Sequence, residues 1–391
     1  MFWSPTGGGV RRYLQTKHAW LAGTAGWRHT IAVPMARGAV AAAPPGFAAL
    51  PALPIPGSGG YRLPWRRGAL ADRLEALAPD VIEVGDPFRL AWAARDAAAR
   101  LGVPALACCH SNIEAMARLF GGPRFGAAAA RAARRYARRV YRDFDAVLAP
   151  SDSMRRHLIE WGVERAVHQP LGVDTAAIHP GRRSAAWREP LGLGPAERVL
   201  VYVGRFAPEK HLDVLAAAVD RLGPPYRLLA VGAGPRPPSG TRVRVLPFVA
   251  SVDALATLLA SADAFVHAGD QETFGLSVLE AMASGLPVVG RGAEGLAELI
   301  DDAVGVAVAA GTPEAFSEAI AALFAADLEP KRQAARHRAE AHDWNRVLPM
   351  LLERYRTAIG RDATTETAAP TLGRTAHASA HPHGLRTEGS R

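Results

Sequence analysis

Only two of the 391 residues are cysteine, and they are neighbours, Cys108 and Cys109. A bridge between adjacent residues is strained, so no disulfide framework is expected and a reducing, cytoplasmic setting fits. Long apolar runs are also lacking, since no stretch reaches the roughly 18 continuous apolar residues of a membrane span. Met1 to Val10 holds no charged leader followed by an apolar run, which argues against an export signal. The chain is therefore expected to be soluble or peripheral. Missing too is a strand, G-x-G-x-x-G and helix unit with an acidic residue about 20 positions later, which argues against a dinucleotide-dependent oxidoreductase.

What is present supports two cores. With 49% hydrophobic and 21% charged residues, the chain is about twice the usual domain length. Lysine plus arginine outnumber aspartate plus glutamate by 46 to 37, for a net charge of +9. That balance favours an anionic partner, whether nucleic acid, acidic lipid or a phosphorylated substrate, and charge alone does not choose among them.

Short apolar runs alternate with helical patterns. In the second half Val199 to Val203, Tyr226 to Val231, Val243 to Leu246, Ala264 to His267 and Pro287 to Val289 read as strands, with helices over Leu212 to Leu222 and Val252 to Ala260. In the first half Thr30 to Val33, Val81 to Val84, Ala105 to Cys109 and Ala146 to Ala149 read as strands, and Arg89 to Leu101 as a helix. Such alternation predicts an α/β protein with mainly parallel sheets covered on both faces. A polar, proline-bearing stretch from His179 to Pro190 marks the boundary between domains at 1–182 and 183–342. A helix at 343–360 and a tail at 361–391, rich in Thr, Ala, His and Gly and expected to be disordered, complete the chain. His377, His381 and His383 in that tail read as solvated rather than metal-binding. The glycine loop Gly7-Gly8-Gly9 arrives almost at once, so the first strand of the fold is either missing or reduced to Phe2 and Trp3.

The densest chemical signal runs from His267 to Gly285. A strand ends at His267, a polar loop carries Glu272, and a helical pattern beginning near Phe274 puts Glu280 in its second turn. Both carboxylates are expected to face one pocket, with the amides of Phe274, Gly275 and Leu276 offered to a phosphate or sugar hydroxyls. Upstream, Arg205 and Lys210 follow the strand ending at Val203, and two cations at the C-terminal edge of a parallel sheet suit a departing diphosphate. The alternative is a surface pair of cations, with Lys210 bonded to Glu209.

Glu272-Thr273-Phe274-Gly275 and Glu280-Ala281-Met282-Ala283-Ser284-Gly285-Leu286-Pro287-Val288-Val289 together resemble the E-x7-E signature of retaining glycosyltransferases of family 4, the group 1 glycosyl transferases. Gly172-Val173-Asp174-Thr175, Gly204-Arg205 with Lys210, and Gly232-Ala233-Gly234-Pro235 resemble further family elements in the family's order. The resemblance implies a GT-B fold of two Rossmann-like domains facing a cleft. It also implies retaining transfer of a hexose from a nucleoside-diphosphate sugar, with GDP-mannose favoured over UDP-sugars, to a glycan or lipid-linked acceptor. By the same likeness Arg205 and Lys210 stabilise the diphosphate, Glu280 binds the ribose and Glu272 orients the sugar. His110 touches the sugar near its anomeric centre, while Gly8 and Gly9 admit the phosphate by close approach and positive φ. Phe248 and Val249 meet the base, and Trp344 begins a helix that packs back toward the first domain. No carboxylate stands as a nucleophile, which fits same-face attack assisted by the leaving phosphate. No cofactor, metal or nucleic-acid partner is implied. The rival reading is a non-catalytic scaffold that keeps the nucleotide-sugar-binding shell.

Three further features stand apart. Asp86 reads equally as an acceptor-cleft residue or a cap for the helix at Arg89. Asp143-Phe144-Asp145 has the D-x-D form of metal-dependent transferases but precedes a strand, at the wrong edge of a parallel sheet, and reads as a solvated turn. Arg131, Arg134, Arg135, Arg138, Arg139 and Arg142 fall on a helical arc of about 140° opposite Ala133, Tyr136, Ala137 and Val140. This helix either rests on an anionic membrane surface or is an ordinary domain helix with its arginines in water.

Overall fold

The computed structural model describes residues 8–35, 46–56 and 62–360. The readings at Phe2, Trp3 and Gly7, and those on the tail with His377, His381 and His383, lie outside them. Helix α1 (Gly9–Ala22) leads to β1 (Ile31–Met35), which pairs in parallel with β2 (Phe47–Pro51). A short antiparallel pair, β3 (Leu53–Pro54) and β4 (Arg62–Leu63), precedes α2 (Arg67–Glu75). Then β5 (Ile82–Val84), α3 (Arg89–Leu101), β6 (Ala105–Cys108), α4 (Ile113–Tyr141), β7 (Ala146–Ala149), α5 (Asp152–Glu160) and β8 (Ala166–His168) alternate. Their strands form a parallel sheet in the order β5-β6-β7-β8.

After short turns between Pro180 and Leu191, a second run begins with β9 (Arg198–Arg205), α6 (Leu212–Leu222), β10 (Tyr226–Ala233), β11 (Val243–Leu246), α7 (Val252–Ser261) and β12 (Ala264–His267). It continues through α8 (Leu276–Ala283), β13 (Val288–Arg291), α9 (Leu296–Leu299), β14 (Gly305–Val308), α10 (Pro313–Ala325), α11 (Glu329–Ala341) and α12 (Trp344–Ile359). The sheet is parallel, in the order β11-β10-β9-β12-β13-β14. Strand order therefore reverses between β9 and β12. In open α/β sheets ligands bind in the crevice outside the carboxyl ends of strands at such a point.

The local sequence explains most of these elements. Phe265, Val266, Val288 and Val289 are fully buried, as continuous apolar strands covered on both faces must be. In α3 the alanines at 91, 93, 94 and 97 are buried, letting the helix lie close on its sheet and against α2, and Gly102 ends it in the left-handed conformation at φ 67°. Asn112, Ser151, Ser251 and Thr312 each cap a following helix by accepting an N–H from the third residue on.

Several expectations need correction. The strand at β1 does not join the first parallel sheet but forms a separate pair with β2; Pro34 in β1 and Pro51 in β2 lack the N–H that a central strand donates. Helix α8 starts at Leu276 rather than near Phe274, because Gly275 is its cap at φ 98°. Helix α4 is far longer than the arginine stretch and breaks at Gly122 (φ 61°), just before Pro123.

Helix α12 follows the second sheet yet touches the first. The Tyr355 hydroxyl donates to Glu83 at 2.5 Å, Arg354 donates to Gln169 and to the His168 carbonyl, and the Trp344 ring lies 5.7 Å from that of Tyr13. One apolar cluster, with Tyr13, Leu171 and Trp344 beside Phe274 and Leu296, runs through both halves.

Candidate active site at the crevice

Strands β9 and β12 are neighbours, so the loops leaving their C-terminal ends converge. The first carries Arg205, Glu209 and Lys210; the second carries Glu272. Lys210 Nζ donates to Glu272 Oε1 at 2.5 Å, and His267 Nε2 lies 3.0 Å from the same oxygen. The Gly269 N–H donates to His267 Nδ1 at 3.2 Å, so the ring's proton sits on Nε2 and points at Glu272. Burial pushes the Glu272 carboxyl up, but the Lys210 charge and the hydrogen bonds from His267 and Lys210 outweigh it and hold the group well below the usual carboxylate range. Glu272 is thus an anion at neutral pH, fixed from two sides. Arg205 is largely exposed and pairs with Glu209 at 3.1 Å. The cation that contacts Glu209 is therefore Arg205, and Lys210 is committed to Glu272.

Glu280 takes a different partner. Its side chain is 9% exposed and accepts from Arg12 of α1, 268 residues away in sequence. The two carboxylates expected to face one pocket take separate partners there, Glu272 with Lys210 and His267, and Glu280 with Arg12. Arg12 was missed in the sequence reading, although it lies three residues past the glycine pair. The positive φ expected of the glycine pair is not found: Gly8 has φ −78°, and a Cβ on Gly9 would lie 2.6 Å from Leu276 Cδ1. Glycine at 9 permits close approach between the starts of α1 and α8, not a positive φ. The side chain of Phe274 is buried against His342, leaving the backbone of Phe274, Gly275 and Leu276 to form the start of α8.

The first sheet contributes His110, just past β6. Its carbonyl accepts from the Thr273 hydroxyl at 3.2 Å, its ring packs edge-on against Tyr13 at 5.6 Å, and a Cβ on Gly85 would lie 2.8 Å from its Cδ2. Burial, partly opposed by Glu83, lowers the imidazole to about 4, so it is neutral at neutral pH. Behind it Lys17, 2% exposed, pairs with Glu83 at 2.5 Å and lies 3.4 Å from the Tyr355 hydroxyl. Neither residue of this buried pair was singled out by sequence.

Glycosyl transferases group 1 match residues 197–326, and Glycosyltransferase Family 4 matches residues 7–177. A GDP-mannose-dependent alpha-(1-6)-phosphatidylinositol dimannoside mannosyltransferase of Mycobacterium tuberculosis is 34% identical over 317 residues, which are 78% of this chain and 80% of that protein. The chain belongs to glycosyltransferase family 4. A GDP-mannose-dependent alpha-mannosyltransferase of the same organism is 33% identical over 74% of this transferase and 76% of its own length. Sucrose-phosphate synthase from Thermosynechococcus elongatus superposes with a TM-score of 0.74 at 21% identity, covering 90% of this transferase and 94% of that chain. Anabaena HepE in complex with UDP and glucose gives 0.64 at 20% identity over 79% and 85% of the two chains. The fold is GT-B, and the protein is a nucleotide-sugar-dependent hexosyltransferase.

Other expected residues of this transferase fall as follows. Phe248 and Val249 lie just after β11, with Phe248 exposed and Val249 packed against the large apolar cluster. Asp86 is buried and accepts the Phe88 N–H at 2.8 Å, so it shapes the turn before α3 rather than capping that helix, whose first flanking residue is Phe88. Asp143-Phe144-Asp145 is more than a solvated turn: Phe144 is fully buried, Asp143 pairs with Arg95, and Asp145 accepts the Ala105 N–H at 2.8 Å. The six arginines of α4 and its end are exposed, while Ala137 and Val140 are buried. Arg134 pairs with Glu114, from the first turn of the same helix.

Proposed function

We propose that the enzyme transfers mannose from GDP-mannose to a lipid-linked acceptor, with retention and without a divalent metal. The observation that carries this reading is the Lys210, Glu272 and His267 centre at the point where strand order reverses. GDP-mannose dependence in the named relatives supports the donor, and the phosphatidylinositol mannoside in one relative's name supports the acceptor class. Lys210 and Arg205 neutralise the diphosphate as the C1–O bond to the leaving phosphate breaks. The acceptor oxygen bonds to C1 on the same face, and its proton passes to the leaving phosphate oxygen. Glu272, ionised and held, orients the sugar with the amides that start α8; Glu280 exchanges Arg12 for the ribose hydroxyls; neutral His110 sits beside the sugar. Phe248 and Val249 border the base. Positioning and charge stabilisation of this kind need no metal.

The same reading places the enzyme in the cytoplasm, peripheral on the inner face of the plasma membrane. No described helix is long and apolar enough to cross a membrane. The exposed arginines of α4 adjoin an apolar tip around the Gly122 break, where Phe120 is 82% and Phe125 is 70% exposed. One experiment tests the core of the proposal: NMR time courses with GDP-mannose, UDP-glucose and a mannoside acceptor, all in excess EDTA. Release of GDP with formation of a new α-mannoside is expected. Reaction with UDP-glucose alone, or a reaction restored only by added manganese or magnesium, overturns the donor or the metal-free reading respectively.

A further inference from the structure

Away from the crevice a cavity of about 310 Å³ is lined by Arg67 of α2, Arg89 and Trp92 of α3, and Tyr136 and Arg139 of α4. Its floor is aromatic and fixed. Trp92 Nε1 donates to the Tyr136 hydroxyl at 3.3 Å, and that hydroxyl donates to the Pro87 carbonyl at 2.8 Å. Its rim is cationic, with the guanidinium carbons of Arg67 and Arg139 at 5.2 and 5.9 Å from the Trp92 ring, and that of Arg95, outside the lining, at 4.7 Å from the same ring. The indole attracts each cation but does not cancel the repulsion among them. Burial, then the neighbouring Arg142 and Arg67, hold the Arg95 guanidinium below its usual range.

Acidic neighbours neutralise only part of this charge. Arg67 makes two bonds to Asp96, at 2.6 and 2.5 Å, and Arg95 and Arg142 share Asp143. The third nearby carboxylate, Asp86, is buried and turned to the Phe88 N–H. Arg89 and Arg139 are exposed and have no carboxylate partner among the described residues.

We propose that this cavity is a second ligand site, separate from the crevice, that binds a small phosphate ester. Guanidinium groups grip phosphate oxygens in pairs, the aromatic floor takes the carbon portion of the ester, and the volume suits a ligand of modest size. A soluble phosphomonoester and the phosphodiester headgroup of a lipid present the same chemistry. The site does not depend on the donor or acceptor reading, because it requires no turnover.

Calorimetry of the full chain with glycerol 3-phosphate tests it, comparing the native protein, R89Q/R139Q, and R131Q/R135Q, which removes equal charge from α4 outside the cavity. The native protein and R131Q/R135Q bind alike, and R89Q/R139Q binds about tenfold or more weakly. Vesicles of phosphatidylcholine with phosphatidylglycerol then separate the sources. Displacement of the protein from vesicles by glycerol 3-phosphate assigns a lipid headgroup; binding without displacement assigns a soluble ester. No heat with the native protein, or equal weakening in both variants, overturns the site and leaves only diffuse positive charge.

Discussion

The two halves of the molecule reach the crevice by different routes. In the C-terminal half Lys210, His267 and Glu272 meet because β9 and β12 are adjacent in one continuous sheet, so short loops suffice. In the N-terminal half Arg12, Lys17 and His110 come from a helix and a strand end, and each of the two cations also bonds to a group far off in sequence. Arg12 reaches Glu280 over 268 residues, and Lys17 reaches Tyr355 over 338. The C-terminal half therefore holds chemistry that a sheet positions by itself, while the N-terminal half holds contacts that exist only once both halves and α12 have assembled. Residues of the first kind should govern nucleotide binding and departure of the diphosphate, and residues of the second kind stability and the join between the halves.

The largest effect expected from that division is on stability. Lys17→Met leaves Glu83 buried with only the Tyr355 hydroxyl, and breaking a buried pair on one side costs about 3–5 kcal/mol. Denaturant unfolding should show that loss, with specific activity of the remaining folded enzyme near native. A loss below about 1 kcal/mol, the scale of a surface pair, would mean the N-terminal half does not depend on the long-range pair.

Next comes turnover. Lys210→Ala and Arg205→Ala should each lower kcat/KM by about 10²–10³-fold, the scale for removing a group that stabilises transition-state charge. Their melting temperatures should fall less than that of Lys17→Met, since Arg205 is largely exposed and Glu272 keeps its bond to His267. Inactive variants that also unfold as easily as Lys17→Met would erase the contrast.

Arg12→Ala probes the join between the halves. Freed of Arg12, Glu280 remains available to ribose, so donor KM should hold or fall, while kcat drops by about tenfold because the starts of α1 and α8 are less firmly held. Arg12→Lys should recover part of that loss. A raised donor KM with unchanged kcat would instead make Arg12 a simple donor ligand.

A smaller effect concerns acid. His110 is lowered to about 4, beneath an unfolded value of about 6.5, so the unfolded chain binds its proton first. The resulting stability is present above about pH 6.5 and drains away as pH falls toward 4. His29, lowered to about 3 chiefly by burial, works in the same sense. His110→Gln should flatten, without abolishing, the fall in melting temperature across that window; an unchanged slope would show that the ring is not buried in solution.

The same contrast explains what the sequence revealed. In the C-terminal half most strands are short apolar runs followed by a loop, so β11, β12, α6 and most of α7 were readable to within a residue and the glutamate signature pointed to the crevice, although the short edge strand β14 was missed. In the N-terminal half β2 and β8 escaped notice because five and three residues of mixed, alanine-bearing sequence carry no period. Lys17 and Arg12 looked like ordinary helix cations. Nothing local to α1 distinguishes a lysine 2% exposed from one in water, because Glu83 and Tyr355 supply the reason for its burial. The two paired carboxylate centres were hidden for the same cause: the spacing of Glu272 and Glu280 is local, but their partners are not.

Calorimetric titration of GDP into the native enzyme and the variants Lys210→Ala, Arg12→Ala and His110→Gln decides whether the C-terminal half alone sets nucleotide affinity. Lys210→Ala should bind GDP about tenfold or more weakly, since a charge-assisted contact to the diphosphate is lost, while Arg12→Ala and His110→Gln bind it as the native enzyme does. Native affinity in Lys210→Ala together with a loss in Arg12→Ala or His110→Gln would move the nucleotide site to the N-terminal half.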